Sequence, residues 1–133
     1  MNELAPQPTH LRGLIVDDEP EIAEIAAEFL ERAGMEVIVA PTGQAALDRI
    51  LEDPTGIDVV LSDLAIQPLS GEAVREELAR RQLPLARARQ FIFMCGNYRE
   101  AERLRASGAF VIEKPFQDAR QLAKIVAQAA IRD

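Results

Sequence analysis

The chain has 133 residues, 48% of them apolar, and a net charge of −7, which suits one domain with a single sizeable core. No stretch approaches the roughly 18 consecutive apolar residues of a membrane span, and the acidity argues against a nucleic-acid partner. One cysteine, Cys95, excludes an internal disulfide and fits a reducing, cytoplasmic setting.

The opening stretch, MNELAPQPTHL, lacks both the basic start and the apolar h-region of a secretory signal. With Pro6, Pro8 and no periodicity, residues 1–11 read as a flexible lead-in or linker, leaving 12–131 as the folded domain. A first apolar run, Gly13–Val16, has the length of a buried strand and ends abruptly in Asp17, Asp18 and Glu19. The residues after it, Ile22, Ile25, Ala26, Phe29, Leu30 and Ala33, follow the i, i+3, i+4, i+7 template, and Gly34 stops the helix. That spacing predicts a core face of Ile22, Ile25, Ala26 and Phe29, and it turns Pro20, Ala23 and Ala27 toward solvent.

The alternation continues along the chain. Val37–Ala40 reads as a strand, and a helix over 42–52 follows with Thr42 as its N-cap. Val59–Leu61 is a third strand, with Asp63 just past its end, and a helix is predicted over 71–81. Phe91–Met94 leads into Cys95, Gly96 and Asn97, then a helix over 98–107. Phe110–Ile112 leads into Lys114, then a helix over 119–131. Charge is unevenly spread: residues 79–106 hold seven arginines against Glu100 and Glu102, either solvated faces or a patch for an acidic partner.

Five strand–helix units predict an α/β fold, a doubly wound parallel sheet with helices on both faces. The strands are continuous apolar runs because both of their faces are buried. In such folds ligands bind beyond the carboxyl ends of the strands, where Asp17, Asp18, Asp63 and Lys114 converge if strands 1, 3, 4 and 5 are neighbours. Close carboxylates repel, so either some protonate or a divalent cation sits among them. An all-oxygen donor set points to a hard ion, Mg²⁺ with Mn²⁺ as a substitute, rather than zinc. A hard cation beside a lone carboxylate and a lysine suits phosphoryl chemistry, with Asp63 as attacking group and the paired acids holding the metal. Taken singly, each element has an ordinary reading: an acid at a strand end caps a helix, and a lone aspartate makes a turn. The joint placement is what carries the chemistry.

On the segments LIVDDEPEIAEIAAEFLERAG, DVVLSDLAIQPLSG, FIFMCGN and EKPF, the chain resembles the receiver domains of two-component response regulators over about residues 11–131. The resemblance implies a flavodoxin-like (βα)5 fold with strand order 2-1-3-4-5. It implies Asp63 as phosphoacceptor, with the phosphoryl group coming from a phosphohistidine on a histidine kinase or histidine phosphotransfer protein. Asp18 would bind Mg²⁺ directly, Asp17 through water, and the carbonyl of Ala65 would add a ligand. Lys114 would pair with the phosphate, and the Lys114–Pro115 bond would be cis. Such a domain catalyses only its own phosphorylation and dephosphorylation. The finer likeness is to receivers of hybrid histidine kinases, and a free-standing single-domain regulator is the other setting. His10 stands in the lead-in and is not read as a phosphodonor. Pro20, Ala23 and Ala27 would receive the partner's histidine-bearing helix, and a weak homodimer would form through the fourth helix, fifth strand and fifth helix.

Three departures from the family pattern stand out. Cys95 replaces the hydroxyl that ends the fourth strand, and a thiol is a weaker donor. The proline after the acceptor stands one place later, at Pro68, leaving Gln67. Val111 holds the position of the switch aromatic with Phe110 beside it, so Cys95, Gly96, Phe110 and Val111 form the expected phosphate-binding and switch set. Two other readings are a receiver-like adaptor that is never phosphorylated and a magnesium-dependent phosphatase using Asp63. The complete set of acids and lysine speaks against the first. Ala65, where such phosphatases carry a second acid, speaks against the other.

Overall fold

The computed structural model describes residues 11–114 and 119–129, and every statement below concerns those residues. Five parallel strands form one sheet, β1 (Arg12–Val16), β2 (Glu36–Ala40), β3 (Val59–Asp63), β4 (Phe91–Cys95) and β5 (Phe110–Glu113), in the order β2-β1-β3-β4-β5. Helices α1 (Pro20–Arg32), α2 (Gly43–Glu52), α3 (Gly71–Arg80), α4 (Tyr98–Ala106) and α5 (Ala119–Ala129) connect or follow them. The parallel sheet is the one expected from the alternation, and its flavodoxin-like strand order is the one the resemblance implies. The 1–11 lead-in falls outside the described residues except for Leu11, which packs against the core.

Caps mark where helices begin. Thr42 Oγ1 accepts from the Ala45 amide at 3.0 Å, Ser70 Oγ from Ala73 at 3.1 Å, and Asn97 Oδ1 from Glu100 at 3.1 Å. The side chain of each satisfies an amide that has no partner within its helix. Gly34 and Gly108, at φ +93° and +92°, turn the chain out of α1 and α4 in the left-handed region open to glycine.

The sheet separates two apolar clusters. One gathers Leu14, Val60, Phe91 and Phe93 with residues of α2, α3 and α4, and the other gathers Ile15, Leu61, Ile92 and Met94 with α1 and α5. Strands β3 and β4 are buried along their whole length, as strands covered on both faces must be.

Two expectations are corrected here. The strands run further than their apolar runs: Asp63 is the last residue of β3 and Cys95 the last of β4, not residues beyond them. The parallel ladder is a backbone property and continues through Asp63, paired with Met94, whatever the side chain. On α1 the buried stripe is Ala23, Ala26 and Leu30, with Ala23 2% exposed, whereas Ile25 is 44% exposed. Residues 23, 26, 27 and 30 satisfy the helical template as well as 22, 25, 26 and 29 do. Small alanines win the inward face because they let α1 lie close to the sheet.

Close packing also fixes the loop after β3. A Cβ at Gly43 would overlap the backbone carbonyl of Leu69, and one at Gly71 would lie 2.7 Å from Ser62 Oγ. Gly43→Ala should therefore cost about 1–3 kcal/mol by overpacking, read as a lowered urea midpoint with an unchanged m-value. A variant as stable as the wild type would show that the 64–70 loop yields freely.

Candidate functional site

The site lies where β1, β3, β4 and β5 end. The Asp17 amide donates to the Ala40 carbonyl at 3.2 Å, and its carboxylate accepts from the Glu19 amide at 2.9 Å. This short turn starts α1 and pins the Asp17 side chain, which is fully buried. Asp18 and Glu19 are exposed beside it. Asp63 keeps only a tenth of its side chain accessible, and its Oδ1 accepts from the Ala65 amide at 3.2 Å. Ala65 itself is exposed at the rim.

Lys114 closes the pocket from the end of β5. Its amide donates to the Cys95 carbonyl at 2.9 Å, which continues the ladder one step past the strand. Its Nζ stands 3.4 Å from Asp17 Oδ2 and 3.6 Å from Asp63 Oδ2. At those lengths the ammonium acts chiefly as a charge shared by two carboxylates. Asp17, Asp18, Glu19 and Asp63 each offer one oxygen, and all four oxygens lie within 4.8 Å of one another. Four carboxylates against one ammonium leave an excess of negative charge that a hard, oxygen-seeking dication fits. Glu19 was not among the ligands expected from the sequence, although the run of three acids was its signal.

The remaining expected residues divide. Cys95 is buried, and its thiol is engaged within its own loop: Sγ lies 3.2 Å from the Asn97 carbonyl, to which it donates, and 3.4 Å from the Asn97 amide, from which it accepts. Gly96 is exposed, and a Cβ there would meet nothing within 4 Å. Val111 packs beneath α4 in the first core cluster. Phe110, its neighbour along the strand, is 41% exposed. Pro20 is exposed and Ala27 half-buried, but Ala23 lies inside and is no part of any surface. Pro115 lies outside the described residues, so the expected Lys114–Pro115 cis bond does too; a cis bond is present at Gln67–Pro68.

The family profile described as the response regulator receiver domain matches residues 14–127. The chain belongs to that family. As a receiver domain it is a phosphoacceptor module of two-component signalling. Among curated proteins, it is 31% identical over 119 residues to the response regulator GtcR of Aneurinibacillus migulanus, covering 86% of this chain and 46% of that one. It is 32% identical over 116 residues to the transcriptional regulatory protein CpxR of Escherichia coli, covering 84% and 46%. This receiver domain thus spans about half the length of the curated relatives it matches. Among solved structures, a receiver domain protein from Clostridium thermocellum superposes with a TM-score of 0.76 at 27% identity, covering 90% of this chain and 94% of that one. The receiver domain of the hybrid histidine kinase CckA superposes with a TM-score of 0.71 at 29% identity, covering 90% and 99%.

Proposed function

We propose that Asp63 is the phosphoacceptor, taking a phosphoryl group from a phosphohistidine on a histidine kinase or histidine phosphotransfer protein. The observation that carries this reading is the place of Asp63 at the end of the central strand, inside the acid cluster and with Lys114 Nζ 3.6 Å away. A carboxylate oxygen of Asp63 attacks phosphorus, the P–O bond forms, and the P–N bond to imidazole breaks. Lys114 is placed to balance charge on the transferred group. Asp18, Asp63 and the Ala65 carbonyl would hold Mg²⁺ or Mn²⁺, with Asp17 acting through water and Glu19 at the edge of the cluster. When bound, the ion neutralises charge on the phosphoryl oxygens.

The partner's helix would approach over the start of α1, where Pro20 and Ile25 are exposed. A groove of about 600 Å³ along β5 and α5, lined by Phe110, Ile112 and Ile125 with Arg89 and Arg105, supports weak homodimerisation through the α4–β5–α5 face. The donor histidine comes from another domain, so the same chemistry serves a hybrid kinase or a separate regulator. We place the domain in the cytoplasm without a nucleic-acid partner, on its free cysteine and acidity. No helix among the described residues is long and apolar enough to cross a membrane.

The test is a metal titration paired with a small phosphodonor. Millimolar Mg²⁺ should raise the melting temperature by several degrees, as a ligand of the folded state does. Asp18→Ala should abolish that rise and labelling by acetyl phosphate, yet leave the metal-free domain folded. Unchanged melting of the wild type in Mg²⁺ would refute the metal site.

A further inference from the structure

Helix α4 begins three residues after Cys95, at the end of the sheet that carries the acid cluster, and has a small apolar footing. It buries only Ala101 and Leu104. A crevice of about 210 Å³, lined by Arg75, Ala79, Phe93 and Leu104 among others, separates it from α3. Below it Leu104 joins the apolar cluster of Val74, Leu78 and Phe93, and across the crevice itself the helices are joined by polar ties. The principal one spans the crevice. Arg103 Nη1 and Nη2 donate to both carboxylate oxygens of Glu72, in the first turn of α3, at 3.4 and 3.1 Å. The same guanidinium donates to Glu100 at 2.7 and 3.2 Å. Glu100, three residues back on α4, holds the fork in position, so less side-chain freedom is lost on reaching Glu72. Hydrogen bonds to Glu72 first, and then to Glu100, hold the Arg103 guanidinium more firmly protonated than usual.

Where α3 begins matters. Gly71, next to Glu72, lies so close to β3 that a Cβ there would stand 3.2 Å from the Asp63 carbonyl. The Glu72–Arg103 tie therefore joins the backbone beside Asp63 to the middle of α4. On its other side, Arg105 Nη2 donates to the Val111 carbonyl at 3.4 Å and to Glu113 at 3.3 Å. Helix α4 is guyed from both flanks by arginines.

We propose that Glu72, Arg103 and Glu100 form an electrostatic latch that holds α4 in the unphosphorylated arrangement and makes its release dependent on ionic strength. This rests on Asp63 as phosphoacceptor only for the event that the latch regulates. Loss of an exposed tie of this kind changes an opening equilibrium by up to about fivefold. Salt weakens it because the charges face solvent.

The experiment compares wild type, Glu72→Gln, Arg103→Gln and the charge-exchanged pair E72R/R103E, by amide hydrogen exchange along α4. All three positions are exposed or half-exposed, and circular dichroism checks the fold. Each single variant should speed exchange of α4 amides about fivefold at low salt, and the exchanged pair should recover part of the protection, because Arg103→Glu also sets a second acid beside Glu100. Raising salt from roughly 0.05 to 0.5 M should speed exchange more in the wild type than in Glu72→Gln, which keeps the Arg105–Glu113 tie. Equal α4 exchange in wild type and single variants at both salts would overturn the latch. Labelling by acetyl phosphate runs in parallel and should be unchanged. If no variant, nor the wild type, is labelled at Asp63, the phosphoacceptor reading fails while the exchange data still decide the latch.

Discussion

Asp63→Asn should abolish incorporation of a phosphoryl group from acetyl phosphate or from a partner kinase, with no slower residual labelling. The amide oxygen retains an acceptor for the Ala65 amide, which Asp63 Oδ1 now receives at 3.2 Å, so the turn beyond β3 survives. What disappears is the anionic oxygen that attacks phosphorus, and no neutral amide replaces it. In metal-free buffer the same variant should be more stable than wild type, by on the order of 1 kcal/mol, because one of four crowded carboxylates is gone. Magnesium should then add little. Phosphate found on the variant would place the acceptor elsewhere in the acid cluster, at Asp17 or Asp18.

Lys114→Met should have the largest effect on stability. Asp17 has no solvent access, and Lys114 is the cation beside both it and Asp63. Removing one member of a buried pair strands the other without solvation. A loss of about 3 kcal/mol is expected, at the low end for buried pairs because the lysine keeps some exposure. The loss should be read as a lower urea midpoint in the presence of a chelator. Added Mg²⁺ should restore much of it, since a dication takes over part of the charge balance. Phosphorylation should be slowed but directed to the same residue. A variant that unfolds like the wild type in chelator would mean that water already screens the Asp17 carboxylate.

The sequence made the pocket legible because its parts lie at fixed places in a repeating pattern. Asp17, Asp63 and Lys114 each follow an apolar run of strand length, and strand order alone brings them together. The inward face of α1 was not legible. Two stripes one residue apart fit the same period and share Ala26, and size favoured Ile25 where the helix needed Ala23. On β5 the pleat decides what composition does not: Val111 faces the core under α4, and Phe110 faces the other way. Cys95 was legible as a missing hydroxyl, but its engagement by Asn97 depends on the turn into α4. The Glu72–Arg103 tie had no local signal, because its partners lie 31 residues apart on separate helices.

Beyond the pocket, the sheet ends at β5, and a sheet edge is a template for strand addition by another chain. Here the guanidinium of Arg105 occupies the Val111 carbonyl and pairs with Glu113, so the edge presents a salt bridge where it would otherwise present a free acceptor. An incoming strand would have to displace a charged group and leave Glu113 uncompensated. Arg105 thus also opposes strand addition at this edge, next to the exposed Phe110.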